Sequence, residues 1–115
     1  MAKGTGLPDS LLTQVCDVFK LLSDRTRFSI LLYLAQQEHN VGQLCAKHAL
    51  PQPTVSHHLA LMRMSRLIQK RRNGKQMIYS ISAEGMGAIA GQLLKHLGSG
   101  RSATLGAFTV TKKGK

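Results

Sequence analysis

The chain has 115 residues, with 16 Lys and Arg against 5 Asp and Glu, for a formal net charge of +11. With 43% hydrophobic residues it can bury one modest core, so a single domain is expected. The excess charge asks for a polyanion, either nucleic acid or an anionic membrane. No apolar stretch approaches a membrane span and no signal peptide opens the chain, so a cytoplasmic protein with no membrane partner is expected.

In chain order, residues 1–8 read as a flexible N-terminus. Pro8 or Asp9 can open a first helix, in which Leu11, Leu12, Val15, Val18, Phe19 and Leu22 recur at helical spacing. Ser23 is a natural cap for a second helix starting near Asp24, with Phe28, Ile30, Leu31 and Leu34 as its apolar face. Asn40 can cap a short third helix that turns Val41, Leu44 and Cys45 inward. ALPQP then makes a turn, because proline at 51 discourages helix at Leu50. In a fourth helix Val55, Leu59 and Met62 form one buried stripe, while Thr54, His57 and Leu61 share another side. LIQKRR and QMIYSIS read as two strands about NGK, where Asn73 and Gly74 are expected to supply positive φ at both turn positions. A last helix runs from about Ala83 to Leu97 with Met86, Ile89, Leu93, Leu94 and Leu97, and Gly98 stops it. Residues 98–115 read as a basic, disordered tail in which AFTV could add a weak strand.

This order is a helix-turn-helix followed by a basic hairpin. The expected fold is mainly α, a winged helix-turn-helix of about five helices and a two-stranded wing, over residues 9–97. Charge supports a DNA-binding role. The five acids are Asp9, Asp17, Asp24, Glu38 and Glu84, so residues 39–83 hold none. That stretch carries Lys47, Arg63, Arg66, Lys70, Arg71, Arg72 and Lys75. A charge run is ordinarily a solvated face, but so many cations without compensation favour nucleic acid.

DRTRFSILLYL resembles the second helix of ArsR-type winged-helix repressors, with their D-x-T-R-x-x-I-L-x-x-L pattern. PQPTVSHHLALMRMSRLI resembles their recognition helix, and RRNGKQMIYSI their wing. The resemblance covers about residues 9–97. It implies a homodimer paired through the first and last helices, which binds double-stranded DNA at an inverted-repeat operator and blocks transcription.

The family's metal signatures are largely missing. In EHNVGQLCA, Asn40 and Gln43 stand where cysteine and aspartate ligands would be. On the last helix Ala83 and Gly85 occupy the first pair of ligand positions, and only His96 stands near a later one. One donor does not make a zinc site. No metal and no cofactor are therefore expected.

Adjacent His57 and His58 point about a quarter-turn apart on a helix and do not easily chelate one ion. His57 is expected to face the major groove, and His58 to brace the helix or reach a phosphate. Thr54 and Ser56 offer hydroxyls for base edges or phosphates, and Gln52 lies in the first turn, where it contacts DNA or caps the helix. Arg71, Arg72 and Lys75 flank the wing tip. They either protect a strand edge or contact phosphates, and the absence of a nearby acid favours contact. Arg63 is a further candidate that an acid elsewhere in the chain could claim.

Cys16 and Cys45 form no CxxC and fit no secreted disulfide framework. They read as two buried small hydrophobes or as a thiol sensor for oxidant, persulfide or arsenite. Some related regulators bring a first-helix cysteine near a third-helix cysteine of the partner subunit. Two other classes compete: a non-specific architectural DNA-binding protein and a winged-helix protein-interaction module. No nucleophile or carboxylate motif appears with its partners, so an enzyme is not expected.

Overall fold

The computed structural model describes residue 4 and residues 6–98; the expected tail, with its AFTV segment, lies outside the described residues. The elements are α1 (Asp9–Leu22), α2 (Arg25–Gln36), β1 (His39–Asn40), α3 (Val41–His48), α4 (Gln52–Met64), β2 (Ile68–Asn73), β3 (Gln76–Ile81) and α5 (Ala83–Gly98). Before α1, Leu7 is buried.

The helix ends follow from local chemistry, with one exchange of roles. Ser23 does not open α2; its hydroxyl donates to the Lys20 carbonyl at 2.7 Å and so closes α1. Asp24 caps α2 instead, its Oδ1 accepting from Arg27 N at 3.1 Å. A carboxylate suits the positive end of a helix better than a hydroxyl does. At α3, Asn40 and Gln43 form a reciprocal capping box: Gln43 N donates to Asn40 Oδ1 at 2.8 Å, and Asn40 N donates to Gln43 Oε1 at 2.9 Å. Ala49 ends α3 in the left-handed region at φ 54°, which starts the turn into α4.

The core joins Ile30, Leu31 and Leu34 of α2 to Leu44 of α3 and to Val55, Leu59 and Met62 of α4, with Leu67, Ile68 and Tyr79 closing it from the hairpin. Two residues expected inside are not. Phe28 is 46% exposed because it lies two positions before Ile30, off the face that Ile30 and Leu34 share. Phe19 is 64% exposed although it follows buried Val15 by one turn. Leu94 and Leu97 of α5, which packs on α1, are also about half exposed.

The wing is antiparallel, with Ile68 opposite Ile81 and Asn73 opposite Gln76. Gly74 takes φ +68°, but Asn73 does not adopt positive φ. Asn73 is the last residue of β2, and Gly74–Lys75 form the loop, a turn with glycine at its first central position. A third strand joins the two foreseen: β1 pairs with β3, giving the sheet order β1-β3-β2. Among the described residues no helix is long and apolar enough to cross a membrane.

Candidate nucleic-acid interface

Helix α4 buries Val55, Leu59 and Met62 completely. At about 100° per residue, that stripe turns His57 to the opposite side. His57 is exposed there, Thr54 is exposed beside it, Gln52 is exposed in the first turn and Ser56 is half-buried, so polar groups cover the solvent side of the helix's first half.

His58 is turned inward and only partly exposed. Arg27 Nη1 donates to its Nδ1 at 3.3 Å. A guanidinium only donates, so Nδ1 is the unprotonated nitrogen of that ring. Burial holds His58 below the usual histidine pKa; the Asp24 carboxylate opposes that shift, and the charges of Arg27 and His57 add to it. Arg27 also donates through Nε to the Leu21 carbonyl at 2.9 Å and lies 3.8 Å from the Asp24 carboxylate. The backbone hydrogen bond from Arg27 holds Asp24 below its usual pKa. Arg27 therefore ties the end of α1 and the start of α2 to the helix that presents His57. Sequence reading did not single it out, because its partner lies 31 positions away.

The wing cations do not share one environment. Arg71 is ion-paired with Glu38, one residue before β1. The expectation that no acid lies near Arg71 is overturned: Glu38 stands just outside the acid-free stretch, and the fold carries it across β3. Arg72 and Lys75 are exposed, and Arg72 Nη1 donates at 3.5 Å to the Gly74 carbonyl. Lys47 lies 5.1 Å from the ring centroid of Tyr33. Arg63 points elsewhere. With Asp17, Arg66 and Glu84 it lines a cavity of about 620 Å³ among α1, the end of α4 and α5.

Cys16 is exposed on α1, whereas Cys45 is half-buried against the core, and both are free thiols. His48 is committed to structure, with Nδ1 at 2.8 Å from the Leu44 carbonyl and Nε2 at 2.9 Å from Ser29 Oγ. Among the described residues no three His, Cys, Asp or Glu side chains gather as a metal site.

A helix-turn-helix whose second helix shows a polar face beside a cationic hairpin has the shape of a major-groove reader. Comparison with known proteins agrees. The family model for bacterial regulatory proteins of the arsR family matches residues 24–70. The transcriptional regulator KmtR of Mycobacterium tuberculosis is 41% identical over 78 residues, which cover 68% of this chain and 60% of KmtR, less than two thirds of its length. A biofilm growth-associated repressor of Xylella fastidiosa is 33% identical over 84 residues, 73% of this chain and 70% of that protein. Among solved structures, the homodimeric winged helix-turn-helix DNA-binding domain of a possible ArsR-family regulator from Mycobacterium bovis superposes with a TM-score of 0.62 at 30% identity, covering 79% of this chain and 94% of that one. Fold and surface define the class: a winged helix-turn-helix protein. The chain belongs to the ArsR family of bacterial regulatory proteins.

Proposed function

We propose that this protein is a cytoplasmic, sequence-specific repressor that binds an inverted-repeat operator as a homodimer and is released by a chemical signal. The observation that carries the reading is the division of α4, with its apolar stripe fully buried and Thr54 and His57 exposed beside a cationic wing. Thr54 and His57 read base edges, with Gln52 and Ser56 flanking them. Arg72 and Lys75 hold phosphates. His58 positions the helix through Arg27 rather than touching DNA.

Pairing through α1 and α5 is supported by Phe19, Leu94 and Leu97, apolar side chains left exposed on two helices that pack together. A second copy related by a twofold axis would cover them and match the symmetry of an inverted repeat. The proposed signal is thiol-based, read through Cys16 and Cys45, rather than a divalent metal.

Selection of random duplex DNA against the reduced protein tests this reading. An enriched inverted repeat is expected. Thr54→Ala or His57→Ala should relax its sequence preference. Arg72→Ala or Lys75→Ala should weaken all sequences alike and lower the salt slope by about 0.9 per lost phosphate contact. Tight, salt-sensitive binding with no enriched motif would favour an architectural protein. No binding at moderate salt would favour an interaction module.

A further inference from the structure

Four cations stand on the wing: Lys70, Arg71, Arg72 and Lys75. Of these four, only Arg71 has a carboxylate partner among the described residues. That partner, Glu38, comes from a different part of the chain. It lies next to β1, whereas Arg71 lies on β2, and β3 runs between them. Asn40 and Arg71 are both registered against Ile78, so the end of β1 and the middle of the wing lie level across the sheet. The pair is open to solvent, with side chains 55% and 49% exposed for Arg71 and Glu38.

We propose that Glu38 is a built-in competitor of the DNA backbone for Arg71, and that it holds affinity for all DNA sequences below what the wing would otherwise reach. The proposal rests on the reading of the wing as a DNA contact. A guanidinium offers one planar fork of donors, which fits a carboxylate or a phosphate but does not serve both fully. An exposed ion pair is weak, so phosphate can displace Glu38, at the cost of the pair and of bringing a carboxylate close to the polyanion. The competition acts through the backbone and carries no sequence information. It sets the level of non-specific binding against which operator recognition works. Arg72 and Lys75 bind without such a competitor.

The test uses the full chain and a fluorescein-labelled duplex of arbitrary sequence, with Kd read by anisotropy at several salt concentrations. Glu38→Gln keeps the size of the side chain and removes its charge. It should tighten binding about two- to fivefold, the scale of an exposed ion pair, on unrelated sequences alike. In an Arg71→Gln background the same change should have little effect. Equal tightening in both backgrounds would overturn the proposal, because it would reflect only the general field of the carboxylate. Unchanged or weaker binding by Glu38→Gln would overturn it as well. Arg72→Gln separates the two levels of failure. If it weakens binding while Glu38→Gln gains nothing, the competition alone is wrong. If neither changes affinity, the wing is not a DNA contact and both readings fall.

Discussion

Gly85 offers a sharp test of the packing between α5 and the end of α4. It is the third residue of α5, and its Cα lies against the turn that follows α4. A Cβ built there would lie 1.8 Å from the Arg66 carbonyl oxygen and 2.9 Å from its carbon. Real Cβ contacts essentially never fall below 3.0 Å, so Gly85→Ala forces the two segments apart by at least 1.2 Å (3.0 − 1.8). The obstacle is backbone, which cannot rotate away, and Arg66 already holds φ 62°. Overpacking of this kind costs up to about 3 kcal/mol, while alanine regains about 1 kcal/mol of helix propensity, so the net loss is about 2 kcal/mol. For a domain of this size that lowers Tm by roughly 8–16 °C. Gly87 supplies the control: it lies on the same helix, and a Cβ added there would meet nothing within 4 Å, so Gly87→Ala should gain up to about 1 kcal/mol. Both variants would be melted by circular dichroism at matched concentrations, because the proposed dimerisation would make Tm concentration-dependent. If Gly85→Ala melts at or above the wild type, the close approach of α5 to Arg66 is wrong.

Two further outcomes follow from named contacts, and a third from the proposed thiol signal. Ser82 Oγ accepts from Gly85 N at 3.1 Å and caps α5, so Ser82→Ala should cost about 1 kcal/mol in urea unfolding, and a loss near zero would remove the cap. The folded pKa of His58 lies below the unfolded value of 6.5, so the folded protein binds fewer protons than the unfolded chain in that range. Its contribution to stability is complete above pH 6.5 and falls as pH drops below that value toward the folded pKa. Urea midpoints measured from about pH 8 to about pH 5.5 should fall less steeply for His58→Gln than for the wild type, and equal slopes would contradict the lowering of the His58 pKa by burial. Persulfide treatment should release DNA from the wild type but not from Cys16→Ser or Cys45→Ser; release from both variants would leave the cysteines without a sensing role.

Local patterns revealed much of the fold. The spacing of Val55, Leu59 and Met62 placed the inner face of α4, and through it the outward direction of Thr54 and His57. Asn40 was legible as a cap because its partner Gln43 lies three residues away. Features set by distant chain segments were not legible. β1 has two residues, too few for any periodicity, and exists because β3 offers it an edge. Ser23 and Asp24 are both capping residues, so only geometry could assign them to different helices. Glu38 and Arg71 are 33 positions apart, and a count of charge along the chain cannot see across a sheet.

Two of the long-range contacts that sequence missed fix how α4 is held. At its middle, His58 rests on Arg27, which also grips Leu21 and Asp24. Past its end, the Arg66 carbonyl meets Gly85 of α5. The helix that presents Thr54 and His57 is thus held by α2 at its middle and by α5 just past its end. This bears on the ligand positions that the ArsR resemblance marks on the last helix. At position 85 no metal-donating side chain fits without parting α5 from the turn after α4, because its Cβ would collide with backbone. The glycine is therefore more than a missing ligand. It permits the close approach of α5 to the turn that follows the helix proposed to read DNA.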